Sequence, residues 1–138
     1  MNENKELLKK LNTDFKRVFP NESILDYIAI PEERSLSNLT VVYYRDGYYF
    51  IKYIGIREAE KSIKYYKNYS DFLYNILDEI ITNKAIDFAA KNRKPNEDFR
   101  RSLFTKEIEL MALISDEFRE KKKNEIKAIL ENNPYTDS

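Results

Sequence analysis

The sequence predicts an α+β fold: an N-terminal helix, a three-stranded antiparallel β-meander, and three C-terminal helices packed on one sheet face. Apolar side chains recur every three or four residues near both ends of the chain, which is the period of an amphipathic helix. Between these regions, residues 39–54 read LTVVYYRDGYYFIKYI, with β-branched and aromatic runs on both sides of Asp46-Gly47. Such a pair is a strong hairpin signal. The length of 138 residues fits one domain, residues 1–138, with one hydrophobic core.

The first predicted helix covers residues 3–19. Pro20 ends it, because its ring cannot continue the helical hydrogen bonding. The fold of residues 20–38 is not fixed by any periodic pattern, although isoleucines here suggest an extended segment laid on the core. The apolar positions of the helix are Leu7, Leu8, Leu11, Phe15, Val18 and Phe19.

The hairpin strands are predicted near 39–45 and 48–56, with a third strand near 59–67. Asp46-Gly47 favours a type I′ turn, which needs positive φ at both central residues. Alternation then separates two faces of the hairpin. We expect the first, the Tyr43 face, to close the core, and the second, the Tyr44 face, to meet water or a partner. The Tyr43 face holds Leu39, Val41, Tyr43, Phe50 and Ile54, and the Tyr44 face holds Val42, Tyr44, Tyr49, Ile51 and Tyr53.

Three helices complete the predicted fold. Ser70 is the expected N-cap of the first, which runs to about Lys91. Asn96 is the expected cap of the second, and Ser115 of the third, which Pro134 stops. The predicted apolar stripes include Phe72, Leu73, Ile76, Leu77, Ile80, Ile81, Phe88, Phe99, Leu103, Phe104, Ile108, Met111, Ile114, Phe118, Ile126, Ile129 and Leu130.

The composition argues against catalysis. The chain has no histidine and no cysteine, so zinc sites and Ser-His or Cys-His nucleophiles are close to excluded, and no cofactor is expected. Carboxylate chemistry stays open, but neighbouring acids such as Asp78-Glu79 do not converge on a helix. The 24 basic and 24 acidic side chains balance, which disfavours nucleic acid as a partner. Without a signal sequence or a long apolar run, we expect a cytoplasmic protein that does not enter a membrane.

Several motifs of the C-terminal two-thirds, in this order, resemble the immunity protein 63 family. They are Gly47-Tyr48-Tyr49-Phe50, Asp98-Phe99-Arg100-Arg101 with Phe104, Glu109-Leu110-Met111, and Glu131-Asn132-Asn133-Pro134-Tyr135. The resemblance covers roughly residues 47–138, and residues 1–46 resemble nothing specific. It implies an α+β antidote of a bacterial polymorphic toxin system, which binds a cognate toxin encoded nearby. It implies a stoichiometric binder rather than an enzyme, and it does not name the toxin.

Two interpretations of the tyrosines stay open. Tyrosine is enriched in interface hot spots, so Tyr44, Tyr49, Tyr53 and, on the third strand, Tyr66 are candidate partner-binding residues. Aromatic cross-strand pairs also stabilise sheets.

The charged motif residues also allow two interpretations. Asp98, Arg100, Arg101 and Glu109 could face the toxin, but we favour structural ion pairs, since Asp98 lies near a helix start.

Charge offers a competing binding surface. Residues 39–69 carry 6 basic and 3 acidic side chains (+3), whereas residues 95–138 carry 8 basic and 10 acidic ones (−2). Acidic helices suit a nuclease target better than a basic sheet does. The alternative to an immunity protein is a non-catalytic regulatory or scaffold module, a homodimer through the tyrosine-rich sheet face. Without toxin, the protein would be a monomer or a homodimer.

Overall fold

A computed structural model describes residues 3–33, 40–54 and 61–138 and confirms the predicted α+β order. Two single-turn 3-10 helices, Ile24–Asp26 and Pro31–Glu33, lie between the first helix and the first strand. The longer elements are α1 (Glu3–Phe15), β1 (Thr40–Arg45), β2 (Tyr48–Ile54), β3 (Lys61–Tyr66), α2 (Tyr69–Lys91), α3 (Phe99–Ala112) and α4 (Asp116–Asn132).

The three strands form one antiparallel sheet in the order β1-β2-β3. Tyr43 lies opposite Phe50, and Tyr44 opposite Tyr49, as a two-residue loop requires. Asp46 has φ 53° and Gly47 has φ 85°, so both central residues have the positive φ of a type I′ turn. The predicted hairpin and its register are therefore confirmed.

The Tyr44 face of the sheet is the one that closes the core, so the prediction that the Tyr43 face does so is wrong for its aromatic part. Val42 and Ile51, directly opposite each other on the Tyr44 face, are fully buried. On the Tyr43 face, only the end with Val41 and Ile54 is buried among the described strand residues. Arg45 and Lys52 also point to the Tyr43 face, and burying two cations without partners would be costly.

Residues from before the sheet cover the outer edge of β1. The Ala29 N–H donates to the Thr40 carbonyl at 3.0 Å, and the Val42 N–H donates to the Ala29 carbonyl at 2.9 Å. The Asn4 side chain of α1 accepts from the Tyr44 N–H at 2.9 Å. This satisfies strand groups that an open edge would leave unpaired. The isoleucines Ile24, Ile28 and Ile30 of the same region are buried, so the predicted contact with the core is confirmed. The segment is not extended throughout, because Ile24–Asp26 and Pro31–Glu33 form 3-10 turns.

Helix α1 ends earlier than predicted. Its regular part stops at Phe15, and the N–H groups of Val18 and Phe19 then donate to the Phe15 carbonyl in a closing turn before Pro20.

Two of the three predicted N-caps are wrong. Asn68, rather than Ser70, accepts from the Asp71 N–H at 2.9 Å at the start of α2. Asp98 is the N-cap of α3, whereas the predicted Asn96 has φ 65° and lies before the helix. Ser115 caps α4 as predicted, since its side chain accepts from the Phe118 N–H at 3.1 Å.

The chain divides into two compact units, residues 1–77 and 78–138, and α2 supplies turns to both. Two predicted core positions in the second unit are wrong: Phe88 and Ile129 are exposed. Within the described residues, no helix is both long and apolar enough to cross a membrane. The first unit buries Leu11, Phe15, Ile24, Ile30, Val42, Ile51 and Phe72, and the second buries Ile81, Ala85, Phe104, Met111, Ile114, Phe118 and Ile126.

Candidate functional site

Three of the four tyrosines predicted to bind a partner lie together on the Tyr44 face. The rings of Tyr44 and Tyr49 are 4.9 Å apart, and Tyr66 lies opposite Tyr49 in the β2–β3 register. Phe72 of α2 stacks on Tyr49 at 5.1 Å and lies 6.4 Å from the Tyr66 ring. These tyrosines therefore help to pack the sheet against the first turn of α2. Tyr53 lies further along β2, with the Lys64 ammonium 5.8 Å from its ring centre.

Tyr69 connects this cluster to α1. Its ring meets Tyr49 edge-on at 5.8 Å, and its hydroxyl donates to an Asp14 carboxylate oxygen at 2.6 Å. Burial and the bond to Asp14 both raise the pKa of Tyr69 well above its ordinary value. The Lys10 ammonium lies 3.9 Å from the same ring centre. The contacts tie α1 and α2 to the sheet within the first unit.

A cleft between α1 and the sheet keeps part of the Tyr44 face accessible. Its volume is about 510 Å³, and Tyr44 and Tyr49 form its sheet side. The α1 side mixes acidic and basic residues, so no single ligand charge is favoured. Contact of these tyrosines with a partner stays a prediction. The helix residues that line the cleft are Glu3, Glu6, Leu7, Lys9, Lys10 and Thr13.

A second set of aromatics, on the Tyr43 face, was not among the predicted binding residues. Tyr43 and Phe50 stack at 4.8 Å with an interplanar angle of 10°. Tyr48 meets Tyr65 edge-on at 5.8 Å, and Phe50 lies 6.2 Å from Tyr65. Tyr65 is 65% exposed. The two cations Arg45 and Lys52 on this face were the signal in the sequence that it meets solvent.

The motif residues Asp98 and Arg100 join the start of α3 to the end of the chain. Asp98 accepts from the Arg100 N–H at 2.9 Å, from the Arg100 guanidinium at 2.9 Å, and from the Thr136 N–H at 2.8 Å. These bonds, that of the Arg100 side chain first, hold the pKa of Asp98 well below its ordinary value. The same guanidinium donates to the carbonyls of Asn133 and Pro134, each at 2.8 Å.

Arg101 makes a second connection to the same terminal segment. It pairs with Asp137 at 2.9 Å, and its guanidinium lies 4.1 Å from the Tyr135 ring centre. Asp137 in turn accepts from the Asp98 N–H at 2.7 Å. These contacts support the structural interpretation of Asp98, Arg100 and Arg101. Glu109 lies apart from them, exposed and 3.2 Å from the Lys106 ammonium.

Sequence reasoning missed a charged cluster around the buried Lys122 and Glu107 in the second unit. Lys122 of α4 pairs with Asp78 and, at 3.2 Å, with Glu125. The buried Glu107 accepts from the Thr82 hydroxyl at 3.1 Å. Burial raises the pKa of Glu107, against the opposing charge of Lys122. Burial also disfavours the charge on Lys122, but the acids around it outweigh that effect and raise its pKa.

The contacts of this cluster give no indication of a reaction centre. Lys122 and Thr82 already engage its carboxylates, and the described residues contain no group of three or more ligand side chains placed to hold a metal ion. The described surface does offer aromatic side chains that contact one another on both faces of the sheet.

One comparison with known proteins gives a match. The family model of immunity protein 63 matches residues 56–128, more than half of the chain. The match includes the Asp98 motif and Glu109, whereas Gly47–Phe50 and Glu131–Tyr135 lie outside it. No curated protein and no solved structure gives a significant match. By the extent of this match, the chain belongs to the immunity protein 63 family.

Proposed function

We propose that this protein is an immunity protein that binds a cognate toxin encoded nearby and blocks its active or essential surface. Family membership carries the proposal. The aromatic side chains on both sheet faces support it, because tyrosine supplies large contact area at a low cost in conformational entropy. The mechanism is occlusion in a stoichiometric complex, through an interface of roughly 1,600 Å² in which a few anchors supply most of the energy. Such a protein is no enzyme and acts in the cytoplasm, where it meets the toxin.

Co-expression tests the proposal. The product of the adjacent gene is expressed alone and together with this protein in a neutral host, and growth is measured. We expect toxicity alone and normal growth with the pair, together with a one-to-one complex on size-exclusion chromatography. A neighbour that is harmless alone, or that stays toxic in the presence of this protein, would disprove the proposal.

A homodimeric regulatory module is the second candidate, and the exposure of Tyr65 favours it. It predicts a dimer in sedimentation that the Tyr65→Ser variant loses. Tyr49→Ser is the poorer test, because Tyr49 stacks on the buried Phe72 and its loss would also weaken the fold.

A further inference from the structure

We propose that the Tyr43 face of the sheet is the toxin-binding surface, and that it binds an acidic patch of the toxin through its aromatics and the cations Arg45 and Lys52. This inference rests on the proposed function and adds to it the location of the interface and the charge of the partner. It differs from the predicted contact through Tyr44, Tyr49, Tyr53 and Tyr66.

The first argument is accessibility. Tyr65 is 65% exposed and Ile63 is 53% exposed, on adjacent positions of the same face of β3. Together with Tyr48 and Phe50, they form a contiguous apolar surface of the kind that marks interaction sites. On the other face, Tyr49 and Tyr66 already lie against Phe72 of α2. Tyr65 and Ile63 are therefore open to a partner, whereas Tyr49 and Tyr66 are partly covered by the first turn of α2.

The second argument is rigidity. Tyr43 and Phe50 stack across two paired strands, and Tyr48 and Tyr65 meet edge-on across the next pair. Rings fixed by their neighbours lose little rotamer freedom when a partner binds, so more of their contact energy appears as affinity.

The third argument is charge. Arg45 and Lys52 both point to this face, and the strand residues described on it include no carboxylate. Asp46 in the turn is 4.0 Å from Arg45, with a side chain 91% exposed. The balanced chain is thus locally cationic here, which complements an acidic partner and speeds its encounter.

The fourth argument is a groove beside the rings. It has a volume of about 380 Å³, and its walls include Tyr43, Arg45 and Lys52, with Asn4 and Pro31 at one side. The Arg45 guanidinium lies 5.6 Å from the Tyr43 ring centre and 5.7 Å from that of Phe50. An arginine held over aromatic rings presents its planar donors to a carboxylate in two parallel bonds.

Charge reversal tests the proposal. We expect the double variant Arg45→Glu/Lys52→Glu to bind the purified product of the adjacent gene at least about 30-fold more weakly than the wild type, as loss of a hot spot would do. The matched control is Lys94→Glu/Lys127→Glu, which makes the same change in net charge at exposed positions of the second unit. It should keep wild-type affinity within about threefold.

A second variant tests the aromatic part without a charge change. Tyr65→Ala removes a ring that is mostly in solvent, so we expect wild-type thermal unfolding and binding about 10-fold or more weaker. Ile129→Ala, at a 46% exposed side chain on α4, is its control and should bind normally. This variant remains informative if the double charge reversal does not fold.

The outcomes separate the two proposals. If the wild-type protein neither binds nor neutralises the neighbour, the proposed function fails. If the wild type protects but Arg45→Glu/Lys52→Glu and Tyr65→Ala bind as tightly as it does, the function stands and this surface is wrong. An equal loss in Lys94→Glu/Lys127→Glu would show a non-specific charge effect, and an equal loss in Ile129→Ala would show that any exposed apolar side chain matters as much as Tyr65. Either result would also overturn the proposed surface.

Discussion

At the scale of single residues, Asp98 joins three parts of the chain with one carboxylate. It caps α3, pairs with Arg100 and receives the Thr136 N–H. Through Arg100 and Asp137 the same network reaches the last six residues. A family motif can thus mark a structural joint between a helix start and the end of the chain.

The low pKa of Asp98 makes an acid-dependence prediction. A carboxyl whose pKa is lowered by folding stabilises the protein above its ordinary pKa of 3.8, and this contribution is lost as pH falls through the folded value. We expect Asp98→Asn to lower the urea midpoint at pH 7 and to lose less stability than the wild type below about pH 5. Urea unfolding at several pH values measures this. Asp116→Asn, at an exposed residue of α4, controls for the loss of one negative charge. If Asp98→Asn lost as much stability in acid as the wild type does, Asp98 would not be the source of the acid dependence.

Lys122 gives a second prediction at this scale. Lys122→Met should lower the free energy of unfolding by about 1–3 kcal/mol, because it leaves the buried Glu107 without its opposing charge. The loss of stability should shrink at acid pH, because a protonated Glu107 needs no cation. Since the pKa of Glu107 is raised, the loss should begin to shrink at a higher pH than it would for an ordinary glutamate. Denaturant unfolding at two pH values measures both effects.

Adding Glu107→Gln to the Lys122→Met protein should recover part of its stability, while the exposed Lys121→Met should stay within about 0.5 kcal/mol of the wild type. A double variant whose losses simply add would show that Glu107 and Lys122 are not coupled.

At the scale of elements, the hairpin turn was predicted correctly and the buried face was not. Positive φ at Asp46 and Gly47 follows from two adjacent residues alone. Which face is buried depends on Phe72, which stacks on Tyr49 from far away in sequence, and on the cost of covering Arg45 and Lys52. The caps show the same limit: Asn96 and Asp98 are both good caps, and contacts with residues 136 and 137 accompany the observed choice.

The two turn residues, Asp46 and Gly47, allow a prediction about stability and its control. A Cβ at Gly47 would meet no atom within 4 Å, but φ of 85° is strained for any L-residue with a side chain. We therefore expect Gly47→Ala to cost about 1–2 kcal/mol, measured by chemical unfolding. Asp46→Asn should be neutral or slightly stabilising, because Asn-Gly suits the same turn. A Gly47→Ala protein as stable as the wild type would argue against the type I′ conformation.

At the scale of the whole molecule, the zero net charge conceals an uneven distribution of available charge. In the second unit, Asp98 and Asp137 are bound to arginines, and Glu107 is buried. Among the acids of residues 95–138, these three are the least able to imitate a nucleic-acid backbone. On the sheet, Arg45 keeps a side chain 67% exposed. Because Arg100, Arg101 and the buried Lys122 are engaged as well, the rest of this segment stays acidic, and charge alone does not choose between the sheet and the helices.

Ionic strength separates these two modes of association. If the toxin meets the sheet, association of the wild type should slow as salt rises, because screening acts over roughly 8 Å at physiological ionic strength. Arg45→Gln/Lys52→Gln should start slower and lose most of that salt dependence, whereas Asp116→Asn/Glu117→Gln, on the exposed first turn of α4, should behave as the wild type. Stopped-flow or surface-plasmon kinetics at several salt concentrations measure this. If instead the α4 variant loses the salt dependence and the sheet variant keeps it, the acidic helices meet the toxin. The toxin surface that they bind would then be basic rather than acidic.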